Sequence, residues 1–242
     1  MQSAPVLLLS DLHLPPQASP YRPAFIDFLD GPARQAREVY ILGDLFDAWI
    51  GDDVGMTIYA NECAKLKALS DSGVTVYFQH GNRDFLIGKQ FVAGTGVRLL
   101  PESVVVELPI GRTLLMHGDT LCVDDIHFQR MRHWTHKHWL QSLFLALPTT
   151  LRRTIAGRLR QASSDAKTSK PKSIMDVNDD AVRTTMTAHG VSCMIHGHTH
   201  RPGRYLLQAA NTSLERIVLA DWRPQQMGYL ACDADGLNQE IL

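Results

Sequence analysis

Seven side chains able to bind metal ions or transfer protons follow short apolar runs of the chain. They are Asp11, His13, Asp44, Asn82, His117, His198 and His200. Runs such as 6–9 and 39–42 are typical of strands buried on both faces. Because ligand sites of α/β sheets form outside the carboxyl ends of the strands, we expect these side chains in one crevice. Carboxylate, imidazole and amide groups together suit borderline or hard divalent ions.

The size of this set indicates two metal ions instead of one. Seven ligands exceed the four of a tetrahedral zinc site, whereas two ions can share a carboxylate. Asp44 is the natural bridge, since it stands alone in its motif with a strand on one side and Gly43 beside it. Two ions about 3.5–4 Å apart are the arrangement that hydrolyses phosphate esters. A lone Asp or His after a strand is more often a turn residue, so the prediction depends on all the motifs together.

The elements that must position these residues alternate between strands and helices. The apolar runs predict strands at 6–9, 39–42, 74–78, 103–108, 113–116, 192–195, 205–208, 216–220 and 229–232, and helices at 22–37 and 55–72. Runs 103–108 and 113–116 form a hairpin pattern, and the C-terminal runs also look antiparallel. Strand–helix alternation followed by hairpins predicts an α/β fold of two packed sheets with helices outside.

Residues 121–188 interrupt this pattern with amphipathic helical spacing and no strand signal. Leu140, Leu143, Phe144 and Leu147 follow helical periodicity, and Leu151, Ile155 and Leu159 form a second apolar stripe. We therefore predict a metal-binding core from 1–120 and 189–242, and a helical cap from 121–188. From 130 to 172 there are ten basic residues and one acid. Such a surface is typical of membrane or anionic-ligand binding, but also of an ordinary solvated helix face.

Composition excludes several classes of protein. The chain has 242 residues, 45% of them apolar, and a formal net charge of -1, which argues against a uniformly basic nucleic-acid binder. That neutrality is a cancellation, because residues 130–172 alone carry about +9. Four well-separated cysteines and an apolar run of only four residues near the N-terminus predict neither disulfides nor a signal peptide nor a membrane span. We expect a protein of a reducing cytosol that could still lie on a membrane surface.

The motif set resembles the calcineurin-like metallophosphoesterase superfamily. The matching motifs are D-x-H at 11–13, G-D-x-x-D at 43–47, G-N-R-D at 81–84, His117 and G-H-T-H at 197–200. The resemblance implies a four-layer α/β/β/α sandwich. It also implies one ion held by Asp11, His13, Asp44 and His200, and another held by Asp44, Asn82, His117 and His198. Two manganese ions are implied, with iron or zinc as alternatives.

Arg83 departs from the commoner pattern, in which a histidine follows Gly-Asn and assists the leaving group. An arginine stays protonated and is unsuited to general acid catalysis. Its planar fork of donors instead suits a phosphate. The leaving group would then need little protonation, which favours cleavage of a pyrophosphate over release of an alkoxide.

Longer segments, among them ILGDLFDAWIGDD, FQHGNRDFL, LQSLFLALP and SIMDVN, resemble the UDP-2,3-diacylglucosamine hydrolase family of lipid A synthesis. The resemblance implies water attack on the α-phosphorus, giving UMP and 2,3-diacylglucosamine 1-phosphate. The implied catalytic residues are Asp44, Asn82, Arg83 and His117. The implied substrate contacts are Asn82, Arg83, Asp125, Ser163, Lys167, Lys170 and His198. A monomer on the cytoplasmic side of the inner membrane, attached through the cap, is the corresponding expectation.

Three other functions compete with this hypothesis. A general phosphodiesterase or nucleotide phosphatase would use the same metal ligands without a lipid. A non-catalytic scaffold of the same fold would typically have lost ligands, whereas every ligand position is filled here. A nucleic-acid role is compatible with the basic cap, but the sequence has no groove-reading motif.

Overall fold

The computed structural model describes residues 4–169, 176–209 and 212–242, and the side chains of all of these except 163–169. The described residues form two mixed β-sheets and eight α-helices. Within them, no helix combines the length and the apolar character that crossing a membrane requires.

The first sheet has six strands in the order β11-β10-β1-β2-β3-β4. Their bounds are β1 Val6–Leu9, β2 Glu38–Leu42, β3 Thr75–Gln79, β4 Arg98–Leu99, β10 Gly228–Asp233 and β11 Gly236–Ile241. Strands β1 to β4 run parallel, and β10 and β11 add an antiparallel edge. The carboxyl ends of β1, β2 and β3 therefore lie side by side.

The second sheet has five strands in the order β5-β6-β7-β9-β8. Their bounds are β5 Ser103–Leu108, β6 Gly111–Met116, β7 Cys193–His196, β8 Gly203–Ala209 and β9 Thr212–Val218. The central strands β6, β7 and β9 are parallel, while β5 and β8 pair antiparallel at the edges. This sheet brings the ends of β6, β7 and β9 together in the same way.

The two predicted helices are present, but each is interrupted at a point that the sequence pattern did not indicate. Their bounds are α1 Tyr21–Asp30, α2 Asp52–Ile58, α3 Ala60–Asp71, α4 Lys89–Thr95, α5 Ile126–Thr135, α6 His138–Leu145, α7 Thr149–Ser169 and α8 Asp179–His189. The helix predicted at 22–37 ends early, because Gly31 and Pro32 interrupt it and a short 3₁₀ turn follows. The helix predicted at 55–72 is divided at Tyr59 into α2 and α3.

Alternating side chains of the strands divide the core into layers. On one face of the first sheet, Leu7 and Leu9 pack with Phe25 of α1 and Leu66 of α3. On its other face, a second cluster holds residues of both sheets, such as Val6, Leu8, Leu115 and Ile195. On the outer face of the second sheet, a third cluster joins Leu114, Met116, Met194 and Leu214 to Val182 and Met186 of α8. These clusters confirm the predicted α/β/β/α order.

Helices α5, α6 and α7 lie outside these layers and form the cap. Neither α5 nor α6 contains a buried residue. The chain segments before and after these helices lie side by side. The Asn178 amide donates to the Leu121 carbonyl at 2.9 Å, and the Asn178 side chain donates to Asp124 at 3.0 Å. All of helix α8 except its last residue falls inside the predicted range 121–188, but the helix packs on the core as its fourth layer. The domain limits remain a prediction.

Candidate metal centre

The predicted ligands stand out by their backbone conformation. Within the described residues, the non-glycine residues with positive φ are five of the seven, each near the left-handed helical region at φ +48° to +69°. They are Asp11, His13, Asp44, His198 and His200. Such conformations are costly for residues with a Cβ and cluster at functional sites. The fold therefore accepts backbone strain where the strand ends carry these side chains.

Asp11, His13 and His200 form one group of potential metal ligands at the ends of β1 and β7. The Nε2 atoms of His13 and His200 are 3.2 Å apart, and His200 Nε2 lies 3.4 Å from Asp11 Oδ1. Asp11 Oδ1 is buried without a hydrogen bond, while Oδ2 accepts from Ser10 and from the His198 amide. A buried carboxylate oxygen facing two imidazole nitrogens is the arrangement expected of a cation site.

Asp44, His117 and His198 form the second group, at the ends of β2, β6 and β7. The His117 Nδ1 atom lies 2.8 Å from the Leu42 carbonyl and donates to it, so Nε2 is the nitrogen that faces the group. His117 Nε2 is 3.2 Å from the Asn82 side-chain oxygen at the end of β3. Asn82 thus lies beside this group, and its role as a metal ligand stays a prediction.

Asp44 lies between the two groups. Its Oδ2 atom is 3.8 Å from His117 Nε2 and 3.9 Å from His13 Nδ1. The other oxygen, Oδ1, accepts a hydrogen bond of 2.8 Å from the Arg83 amide. Its position suits a carboxylate shared by two ions. The chain's own donor set therefore fits a dinuclear centre.

Gly81 and Gly197 allow close packing in the centre. A Cβ at Gly81 would lie 2.2 Å from Asp44 Oδ1, and one at Gly197 would lie 2.3 Å from Asp11 Oδ2. Neither glycine has positive φ, whereas the following ligand His198 does. Both glycines therefore leave space for the carboxylates of the centre.

Asp84 fixes the loops that carry the second group. Its buried carboxylate accepts from the backbone amides of Gly81 at 2.8 Å and Leu45 at 2.8 Å, and at longer range from Asp44 and Phe46. These bonds join the loop after β2 to the loop after β3. A carboxylate holding backbone donors in this way preorganises the ligands beside them.

Asp221 is a site residue that the sequence analysis missed. It follows the β9 region, is 7% exposed, and its Oδ2 atom lies 3.3 Å from His200 Nδ1. The adjacent Trp222 amide donates to the Asp11 carbonyl at 3.1 Å. A carboxylate on the far nitrogen of a metal-binding imidazole fixes its tautomer and orientation. The rule that found the other ligands, a polar residue after a predicted strand, applies to Asp221 as well.

Burial and charge change the protonation of the centre. Burial raises the pKa of Asp44 to about 7. Burial alone would lower the pKa of His117, but the neighbouring carboxylates of Asp44 and Asp11 raise it to about 9. Burial likewise opposes the effect of Asp11 and Asp221 on His200, whose pKa is raised to about 9. The metal-free centre therefore holds protons at neutral pH that a bound cation would replace.

Two arginines face the mouth of the centre around Asp47. Arg83 Nη1 lies 3.6 Å from Asp47 Oδ1, and Arg160 of α7 pairs with Asp47 Oδ2. The carboxylate is 5% exposed, and burial raises its pKa. Arg160 is a second residue that the sequence analysis did not assign to the site. The pair brings a cation of the cap next to the metal ligands.

A cavity of about 410 Å³ extends from this point between the core and the cap. Its polar end includes Asp47, Asn82, Arg83 and Arg160, next to the ligand groups. The remainder is mainly apolar, and its lining includes Trp49, Ile50, Phe85, Leu86, Phe128, Met131, Leu140, Leu143, Phe144, Leu147, Ile155 and Leu159. The cap therefore provides an apolar chamber that opens beside a cluster of metal ligands and cations.

The predicted substrate contacts fall in different places. Asn82 and Arg83 line the cavity, and His198 packs against the Phe128 ring with centroids 5.5 Å apart. Asp125 is 8% exposed and caps α5 by accepting from the Phe128 amide at 3.0 Å. Lys170 and the side chains of Ser163 and Lys167 lie outside the described residues. The contact roles of all these residues remain predictions.

The family of the chain follows from comparison with known proteins. A model of the calcineurin-like phosphoesterases matches residues 4–202, so the chain belongs to this family. Members use a dinuclear metal centre, and the ligand groups above supply the residues for one. A dimetal phosphatase from Danio rerio has the same fold, with a TM-score of 0.51 at 15% identity over 100% of this chain and 99% of that chain.

Relatives with much higher identity carry a more specific name. The UDP-2,3-diacylglucosamine hydrolase of Escherichia fergusonii is 51% identical over 219 residues, which cover 90% of this chain and 91% of that protein. The enzyme of the same name from Escherichia coli O81 is 50% identical over the same shares. Both matches confirm the resemblance stated from the sequence.

Proposed function

We propose that the protein hydrolyses UDP-2,3-diacylglucosamine to UMP and 2,3-diacylglucosamine 1-phosphate in lipid A synthesis. The observation that carries this proposal is the cavity of about 410 Å³ that joins the ligand groups to an apolar chamber. In the reaction, the oxygen of water adds to the α-phosphorus, and the bond from that phosphorus to the bridging oxygen breaks. The leaving phosphate monoester carries the electron pair away.

Asp11, His13 and His200 would hold one ion and Asp44, Asn82, His117 and His198 the other, with Asp44 shared. Bound divalent ions lower the pKa of a coordinated water and balance charge on phosphoryl oxygens. Oxygen and imidazole ligands without thiolate suit manganese, which is our proposal for the resident metal, with iron or zinc as alternatives. Metal analysis of the purified protein tests this choice, and a different stoichiometric metal would overturn it.

Arg83 and Arg160 provide the charge that the diphosphate needs. Both guanidinium groups lie against Asp47 at the polar end of the cavity. Because arginine stays protonated, Arg83 stabilises phosphoryl oxygens and does not donate a proton to the leaving group. A phosphate monoester is a good leaving group without that proton. The residues present therefore favour an anhydride over an alkyl phosphodiester.

The apolar chamber accommodates the acyl chains. Its aromatic and aliphatic lining comes from both the core and the cap, so a chain bound there is shielded on two sides. Burying apolar surface contributes about 25 cal/mol per Å², which makes the chamber a strong source of affinity for a lipid. A nucleotide phosphatase acting on soluble substrates gains nothing from such a chamber.

Release of UMP from UDP-2,3-diacylglucosamine, compared with turnover of UDP-glucosamine and of an aryl phosphodiester, tests the proposal. We expect the diacylated substrate to be hydrolysed with a kcat/KM at least about a hundredfold higher than the others, since only it fills the chamber. Asp44→Ala serves as the inactive control. Equal values for all three substrates would contradict the lipid assignment and favour a general phosphodiesterase.

The outer face of the cap is the part of the protein that would contact the inner membrane from the cytoplasmic side. Ile126, Trp134 and Trp139 are each more than half exposed there, and Arg130 is exposed on the same helix as Ile126 and Trp134. Exposed aromatic and basic residues on helices are typical of binding to an anionic lipid surface. A monomer that keeps this face free agrees with the proposal.

Flotation with anionic vesicles tests the membrane contact. Trp139→Asp is expected to reduce the bound fraction several-fold, because the indole would leave the interface. Leu206→Asp is the matched control, since Leu206 is 74% exposed but lies on β8 of the core. Equal binding of both variants and the unmodified protein would show that the cap does not provide the contact.

A further inference from the structure

Two neighbouring arginines of α7 have opposite environments. Arg153 is exposed, whereas Arg152 is 3% exposed. Both belong to the basic stretch 130–172, for which the sequence predicts either a membrane-facing or a solvated surface, and for Arg152 the structure shows that prediction to be wrong. A buried guanidinium is costly unless its donors are satisfied, so the contacts of Arg152 indicate why it is inside.

Arg152 joins three segments through hydrogen bonds. Its Nη1 atom donates to the Ile50 carbonyl at 2.6 Å and to Asp53 Oδ1 at 2.9 Å, and Nη2 pairs with the other Asp53 oxygen. Its Nε atom donates to the Leu147 carbonyl at 3.1 Å. The bidentate pair with Asp53 is the stronger geometry for an arginine and a carboxylate.

Gly51 provides the space for this guanidinium. Its φ is +122°, a conformation that other residues rarely adopt. A Cβ at Gly51 would lie 2.4 Å from Arg152 Nη1 and 2.8 Å from Asp53 Oδ1. The loop after β2 is therefore shaped to receive the side chain of a cap residue.

The two carbonyls that Arg152 contacts belong to opposite walls of the apolar chamber. Ile50 lines the chamber from the core and Leu147 lines it from the cap. We propose that Arg152, with Asp53 and Gly51, is a positioning residue that fixes the separation of these walls and thereby the affinity for an acylated substrate. The acyl part of this inference rests on the proposed function.

A second pair on α7, Arg160 with Asp47, makes a different kind of attachment. Arg160 is 52% exposed on its side chain and lies at the polar end of the cavity, where the diphosphate of the proposed substrate would compete with Asp47 for it. The guanidinium of Arg152 lies outside the cavity lining, two helical turns earlier, with four hydrogen bonds to protein atoms. The Arg152 pair therefore attaches α7 to the core at a position that does not line the cavity.

Kinetics of Arg152→Ala against Arg153→Ala test the role of the buried arginine. For Arg152→Ala we expect KM for the diacylated substrate to rise at least about tenfold with kcat little changed, since misplaced walls weaken binding remote from the chemistry. Hydrolysis of an aryl phosphodiester should stay at the unmodified rate. Arg153→Ala should match the unmodified protein, and Arg152→Lys should recover part of the affinity.

Hydrogen exchange of the protein without substrate provides a second readout. Arg152→Ala should speed amide exchange in α7 and in residues 50–54, and Arg153→Ala should not. The Asp53 side chain is 54% exposed, so Asp53→Asn should give the same change more weakly. This variant replaces Arg152→Ala in the experiment if Arg152→Ala fails to fold. Equal exchange and equal KM for the two alanine variants would overturn the inference. Absence of lipid hydrolysis by the unmodified protein would refute the proposed function. The difference in hydrogen exchange between Arg152→Ala and Arg153→Ala would still show whether Arg152 attaches α7 to the core.

Discussion

The metal-ligand centre and the cap are held in place by different forces. In the centre, strand ends and backbone hydrogen bonds hold five ligands in strained left-handed conformations. In the cap, α5 and α6 bury no residue, and α7 is attached through arginines that pair with carboxylates of the segment 47–53. The residues that carry the chemistry therefore lie on the rigid part of the fold, whereas selection of the substrate depends on cap helices attached through a few polar contacts.

This contrast predicts the largest effect for Asp44→Ala. Removing the carboxylate that lies between both groups should abolish binding of at least one ion and lower kcat/KM at least about a thousandfold for every substrate. The measurements are metal content and turnover of the diacylated substrate and an aryl phosphodiester. Asp71→Ala, an exposed carboxylate paired with Lys67 on α3, is the control and should change neither quantity. An Asp44→Ala protein that keeps both ions would refute the bridging role.

The difference between the two regions also explains which site residues could be predicted from the sequence and which could not. The ligands of the centre follow continuous apolar runs, so Asp11, Asp44 and His117 could be predicted from local pattern alone. Asp221 follows the same rule and was missed because no histidine or glycine accompanies it. In the cap, Arg152 and Arg153 are identical in type and adjacent. Only the tertiary structure, which brings Asp53 to α7 from about a hundred residues away, shows which one is buried.

The raised pKa values of the centre predict how metal affinity depends on pH. His117 and His200, with pKa values of about 9, and Asp44, with a pKa of about 7, hold protons in the metal-free protein that an ion must displace. Affinity should therefore rise with pH, by about a hundredfold between pH 7 and 9 if one proton is released per ion. Competition titration with a chelator measures this slope. An affinity independent of pH over this range would show that the histidines are already neutral.

Asp221→Asn should have an intermediate effect within the centre. The amide keeps the size of the carboxylate but removes the charge that orients His200 and raises its pKa. Metal affinity at neutral pH should fall about ten- to a hundredfold, the usual cost of losing such a partner. The same variant should shift the pH dependence to lower pH, because His200 would lose its proton more readily. A loss of protein stability without these two changes would instead indicate a purely structural role for Asp221.

The smallest effect should come from replacing one apolar side chain of the cap. This replacement should leave the chemistry at the metal centre unchanged. Ile155 lines the chamber, whereas Leu151, one turn earlier on α7, is 44% exposed and does not. Ile155→Ser should raise KM for the diacylated substrate about tenfold, because a serine forfeits roughly 1–2 kcal/mol of apolar contact with the acyl chain. Leu151→Ser should leave KM unchanged, and both variants should hydrolyse an aryl phosphodiester normally. If Ile155→Ser instead lowered the hydrolysis rates of both substrates equally, the cap would act on the metal centre itself. The centre would then not be independent of the part of the protein that selects the substrate.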